Sequence, residues 1–304
     1  MPVVPPVVLT IAGFDPSSGA GVTADIKVMA AHECFGVACI TALTIQSTQG
    51  VRRVEPVNPL TITDTLTELA ADFPIEAVHI GMLANESAVR AVADFLAATR
   101  PPHVVLDPIL RSSSGADLLD AAGTRLMVER LFPLSEVVTP NLDEAIALTG
   151  VALAAAQEAS ASSSSSGASG SASVEVMRQA AHGMHALGAA NVVVTAGHLD
   201  KAVDLLSFKG SRGIEQEVFK AERQRSTSTH GTGCAFSTAL ACHLAHGRGL
   251  PEAVLLAKAY VSAAIANAQP LGHGHGPLHH LYRMNQQRRA SAVISQSEHA
   301  HSRS

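Results

Sequence analysis

Features that would assign a function class at once are missing from this chain. Only 15% of its 304 residues are charged, the formal charge is −5 and there is no long basic run, which argues against a nucleic acid or a membrane surface as the main partner. The four cysteines, Cys34, Cys39, Cys234 and Cys242, show no C-x-x-C spacing, so neither a disulfide framework nor a zinc site is suggested. No apolar run approaches bilayer length, and Met-Pro-Val-Val-Pro-Pro carries no basic n-region. The expectation is a soluble protein of a reducing compartment, the cytoplasm. Absent too are G-x-G-x-x-G and the lysine-bearing P-loop, which leaves neither a dinucleotide fingerprint nor a Walker ATPase supported.

What is present is apolar material, 47% of the chain, enough for one large α/β domain or two small ones. Residues 7–12 read as a β-branched strand that stops in a Gly-rich loop, 13–21, and hands over to a helix, 22–33. Residues 37–42 read as a second buried strand, followed by a polar loop, 44–50, that contains Gln46. Helical spacing over 59–72 and 86–98 brackets a strand at 76–80. Further strands are expected at 103–107, 136–139 and 191–195, a helix at 174–187, an antiparallel pair at 203–208 and 215–219, and a last helix at 251–268. Strands that are apolar throughout and alternate with helices predict a mostly parallel central sheet covered on both faces.

Ligands of such sheets meet the carboxyl ends of the strands, where the notable residues cluster. In 227–241, Gly231 and Gly233 can take angles closed to other residues, and the helix that follows leaves its first amides unpaired. This suits a phosphate or the charge of a phosphoryl group in transfer. Cys234 lies in that first turn, where a thiol is expected to titrate low and could act as base or nucleophile. The alternative is a tight turn capping a buried helix, with Cys234 as a small core residue. Asp107 and the Asn141-x-x-Glu144 pair could hold a hydrated Mg²⁺, or be a proline turn and an Asn capping box. Arg111-Ser-Ser-Ser-Gly115 adds one cation on a small-residue loop. Residues 159–173 are serine-rich with no apolar side chain larger than Ala, and read as a disordered insertion in a surface loop. The tail histidines, His273, His275, His279, His280, His299 and His301, are irregularly spaced and read as a loop and a polar end.

Taken together in order, 9–25, 40–50, Ile80-Gly-Met-Leu83, Val104-Val-Leu-Asp-Pro108, Thr139-Pro-Asn-Leu-Asp-Glu-Ala145, 197–200, His230-Gly-Thr-Gly-Cys234 and 272–280 resemble the hydroxymethylpyrimidine/phosphomethylpyrimidine kinases of thiamine biosynthesis, in the ribokinase-like superfamily. The resemblance implies a single-domain ribokinase-like fold over 1–282, interrupted by the serine-rich insertion and followed by a disordered tail, 283–304. It also implies a Mg²⁺-dependent, ATP-using kinase acting on a small aminopyrimidine and its monophosphate, and a homodimer. By position, Gly13, Asp25, Gln46, Met82 and Ile109 would hold the ring, and Asn141, Thr195, Gly197, His198 and Arg111 the nucleotide. Asp107 and Glu144 would hold the metal, Gly231, Thr232 and Gly233 would form the anion hole, and Cys234 would take the proton. Ser18, Ala196 and Ser113 depart from common family residues, the last leaving Arg111 as the candidate cation for the phosphates. A pyridoxal or pyridoxine kinase is the alternative within the class. Outside it, a non-catalytic vitamin-precursor binder would be favoured only by the loss of Asp107, Glu144 or Cys234.

Overall fold

The computed structural model describes residues 4–112, 115–151, 168–196, 202–222, 226 and 228–284. Strands β1 (Val7–Phe14), β2 (Phe35–Ser47), β3 (Gly50–Pro56), β4 (Ile75–Ile80), β5 (His103–Leu106), β6 (Val137–Val138), β7 (Val192–Ala196), β8 (Ala202–Gly210) and β9 (Gly213–Ala221) form one sheet in the order β3-β2-β1-β4-β5-β6-β7-β8-β9. Neighbours from β2 through β7 are parallel, while β3, β8 and β9 join antiparallel at the two edges.

The apolar runs have a simple cause in this sheet. Along β1, Val7, Leu9 and Ile11 enter the core on one face while Val8 enters the core on the other, so no position is spared for a polar side chain facing water. The helices are α1 (Gly21–Ala31), α2 (Pro59–Asp72), α3 (Glu86–Thr99), α4 (Ala121–Leu126), α5 (Leu142–Thr149), α6 (Ala168–Ala186), α7 (Thr232–Ala245) and α8 (Leu250–Ala266). One face is covered by α1, α7 and α8, whose Val28, Met29, Leu240, Val254 and Tyr260 share a core with Val8 and Val105. The opposite face is covered mainly by α2, α3 and α6. Asn58 and Asn85 cap α2 and α3 by accepting the Leu60 and Ala88 amides, which fixes where each helix leaves its strand.

Three expectations need correction. Residues 44–50 are not a loop: β2 runs on to Ser47 and turns back into β3, and Gln46 lies on the strand. The alternation there is inverted, with Thr44 buried and Leu43 and Ile45 exposed, so it carried no strand signal. The helix expected at 174 begins at Ala168, so 168–173 of the expected disordered insertion are helical, since adding Ala and Ser to an existing helix costs little once it is nucleated. The rest of that insertion, 159–167, and the tail from 285 lie outside the described residues. His280 is no tail residue either: it is buried against Tyr260. Among the described residues no helix is long and apolar enough to cross a membrane.

Candidate active site

Because β1, β2, β4, β5, β6 and β7 are parallel, their carboxyl ends share one edge of the sheet, and most of the sequence-expected residues sit there. The chain goes from β1 to β2 on one side and later to β4 on the other, so the loops after β1 and β4 part and leave a crevice. Gly13 stands at its lip beside Met82, where an added Cβ would come within 2.9 Å of the Met82 sulfur. Met82 forms a small apolar cluster with Ala42 and Leu118, against which Val54, Ala84 and Ile109 pack. A flat ring can lie against such a surface, and Gln46 approaches from β2, re-aimed by a register shift between Ile45 and Gln46.

Backbone hydrogen bonds extend past the strand ends and fix the polar residues. Asp107 N–H donates to the Ile80 carbonyl at 2.8 Å, and Thr195 N–H to the Pro140 carbonyl at 2.9 Å, which sets Asn141 beside Thr195. Asn141 and Glu144 form the reciprocal capping box of α5, both bonds 2.9 Å. Glu144 is nonetheless a buried acid, and burial pushes its carboxyl up to about 7 against the lowering effect of the Asn141 and Leu110 amides. Asp107 is pushed well above the usual carboxylate range, by burial first and then by the charges of Glu144 and Asp25. Two buried carboxylates that repel each other fit a divalent cation. They fit magnesium in particular, which keeps waters and uses one or two carboxylates; among the described residues no group of three or more ligating side chains exists.

Opposite them, α7 begins at Gly231, with φ of 81°, and a side chain at 231 would run into the Gly19 carbonyl. The anion cradle and the Gly-rich loop therefore pack backbone to backbone, as only glycine allows. Ser237, one turn along α7, bonds Thr139 at 2.8 Å and so ties the cradle to the end of β6. Cys234 does not meet the expectation of a low-titrating thiol. Burial, then the Asp107 and Asp25 carboxylates, raise it well above its ordinary value, and only the Gly21 amide works the other way. Burial and the acidic neighbours together outweigh the helix terminus.

Asp25 is fully buried, away from the surface of the crevice. Its two oxygens accept the Thr10 and Thr238 hydroxyls at 2.7 and 2.8 Å, with His79 Nδ1 3.3 Å away. It underlies Cys234 rather than facing open space, though each oxygen keeps a second lone pair. Arg111 is exposed and paired with Asp117 at 2.8 Å, a contact weak enough to yield to a phosphate. Thr232 is half-buried and Gly233 exposed at the start of α7. Gly197, His198 and Ser113 lie outside the described residues.

Two residues of this site, Asp15 and His230, were not singled out from sequence. Asp15 accepts from the Ser17 amide and hydroxyl at 2.8 and 2.7 Å, from the Gly19 and Ala20 amides at 3.2 and 2.9 Å, and from His230 Nε2 at 2.9 Å. Although burial works to raise it, these donors and Gln46 hold its carboxyl far below the usual range. Asp-Pro-Ser-Ser-Gly is an Asx-turn sequence, and that signal could have marked Asp15. No local pattern could have paired it with His230.

Residues 15–279 match the profile described as phosphomethylpyrimidine kinase. The chain belongs to that family. It is 40% identical over 276 residues to the thiamine biosynthesis bifunctional protein ThiED of Geobacter sulfurreducens, matching 90% of this chain but spanning about half the length, 52%, of that relative. It is 37% identical to the hydroxymethylpyrimidine/phosphomethylpyrimidine kinase of Haemophilus influenzae, over 90% of this chain and 96% of that one. Among solved structures it is similar to the pyridoxal kinase from Staphylococcus aureus in complex with AMP-PCP, with a TM-score of 0.77 and 28% identity over 92% of this chain and 94% of that one. The Met82 cluster, the buried Asp107 and Glu144 and the glycine-capped start of α7 all lie at one sheet edge.

Proposed function

We propose that the protein is a kinase of thiamine biosynthesis that moves the γ-phosphoryl of ATP to the hydroxymethyl oxygen of 4-amino-5-hydroxymethyl-2-methylpyrimidine, and then a second phosphoryl to the monophosphate. The observation that carries this reading is the meeting of the buried Asp107 and Glu144 carboxylates with the glycine-capped start of α7, next to the apolar cluster of Met82 and Ile109.

In this reading Gly13, Met82, Ile109 and Gln46 hold the ring so that its hydroxymethyl group reaches the cradle, and most of the catalysis is positioning. The amides of Gly231 to Cys234 meet the charge that develops on the phosphoryl oxygens. Asp107 and Glu144 would hold Mg²⁺, which would supply charge neutralisation at the phosphates. Asn141 and Thr195, with Gly197, His198 and Arg111, would hold the nucleotide. Cys234 would take the proton from the substrate hydroxyl, and a cation held by Asp107 and Glu144 would favour its thiolate. The test is ATP consumption by purified protein with the aminopyrimidine, with and without magnesium. Binding of the ring with no ATP consumed at any magnesium level would refute the reading.

The likeness to a pyridoxal kinase supports a second activity, since both substrates are aromatic rings bearing a hydroxymethyl group. Turnover on the two rings side by side separates them. We further propose a homodimer, tested by light scattering, and a cytoplasmic location, in keeping with four free thiols.

A further inference from the structure

We propose that Asp15 is a positioning residue that sets the polarity of ring recognition: it turns the amide nitrogen of Gln46 inward and leaves Gln46 Oε1 to meet the substrate. The site then selects a ring carrying a hydrogen-bond donor, such as an exocyclic amine, over one presenting an acceptor at the same place. The inference rests on the assignment of Gln46 to the ring made above.

Asp15 is buried and ionised, so it can only accept, and the backbone amides of Gly19 and Ala20 and both groups of Ser17 already use it that way. His230 must therefore carry its proton on Nε2, which lies 2.9 Å from Asp15 Oδ2. Gln46 Nε2 is 3.4 Å from the same His230 nitrogen. Two donors do not bond each other, so this separation is that of two N–H groups turned toward one carboxylate, and Gln46 is among the groups that hold that carboxylate's pKa low. Flipping the amide would gain at most one long contact from His230 and would set an oxygen against a carboxylate. A bond to an ionised acceptor is about twice as strong as a neutral one, so the nitrogen faces Asp15. Among the described residues no donor meets Gln46 Oε1, which is left free for the ligand. The same carboxylate also clamps the loop from Asp15 to Ala20, so ring polarity and loop geometry share one anchor.

The experiment is calorimetric binding, without nucleotide, of 4-amino-5-hydroxymethyl-2-methylpyrimidine and its 4-oxo analogue. Wild type is expected to prefer the amino ring by about tenfold or more, because the oxo ring leaves two acceptors facing each other. Asp15→Asn can accept or donate, which frees the Gln46 amide to turn, and the preference should shrink to within about threefold. A folded Asp15→Asn that keeps the wild-type preference overturns the proposal. Should that variant fail to fold, Gln46→Glu decides, because it leaves the loop contacts intact. The carboxyl group it introduces can face Asp15 only when protonated, so the variant's affinity for the amino ring, relative to wild type at each pH, should rise at least about threefold from pH 8 to pH 6. The charged and titratable groups around that position are Asp15, His230 and, acting on Asp15, Lys27. The wild-type control cancels titration of the ligand itself, and a ratio flat with pH overturns the proposal. Wild type that binds neither ring removes the substrate reading itself, and this inference with it.

Discussion

Cys234 carries the sharpest contrast between chemistry and packing. Burial and the nearby carboxylates raise the pKa of its thiol, so the proposed role as base depends on what binds beside it. Cys234→Ala is expected to lower kcat by about 10²-fold or more while ring binding changes little, and Cys234→Ser should not restore it, a hydroxyl being a poor base near neutral pH. Near-normal kcat in Cys234→Ala would leave catalysis to the cradle amides and the metal. Glu144 gives a prediction of stability. Its folded pKa of about 7 lies above the ordinary glutamate value of 4.5, so the folded state holds a proton that the unfolded chain gives up earlier. The stability that Glu144 contributes is thus fully present below about pH 4.5 and is lost as pH rises through about 7. Thermal melts without magnesium should fall over that window, and Glu144→Gln, which keeps an acceptor for the Asn141 amide, should flatten the fall. Added magnesium should restore the wild type at pH 7.5 and have little effect on the variant.

Elements matter here through their ends. The start of α7 packs against the Gly-rich loop because Gly231, with φ of 81°, lets the backbone turn against Gly19, and the proposed anion site depends on that turn. Gly231→Ala combines left-handed strain of about 1–3 kcal/mol with a clash against the Gly19 carbonyl. It should lower the melting temperature by several degrees and weaken ATP binding by tenfold or more, read by calorimetry. An unchanged ATP affinity would mean that the cradle is not where the phosphates lie. The β2–β3 hairpin shows the reverse case, in which a proposed ring contact lies on a strand whose pattern is inverted. Thr44 turns in toward the Phe14 carbonyl, Leu43 and Ile45 turn out, and the shift after Ile45 aims Gln46 at Asp15 and His230.

For the whole molecule, the parallel sheet places the Met82 cluster, the acidic pair and the glycine-capped start of α7 at one edge, while the serine-rich stretch lies between α5 and α6 in the chain. Deleting residues 161–172 should leave kcat and melting temperature nearly unchanged, because long surface loops add little closure entropy per residue. A large loss of either would show that this stretch, or the first turn of α6, supports the active site. The sequence by itself determined the α/β class, most element positions and the motif residues, because strand runs buried on both faces and glycines at turns leave local marks. It also marked Asp107, Asn141, Glu144 and Gly231 to Cys234 through motif order. Only the tertiary structure decided that Gln46 lies on a strand and that Asp25 is buried under Cys234. It alone joined Asp15 to His230, 215 positions apart, and turned the expected low-titrating thiol into a raised one. Those properties come from burial and from charges brought close by the fold, and neither leaves a trace in the spacing of residues along the chain.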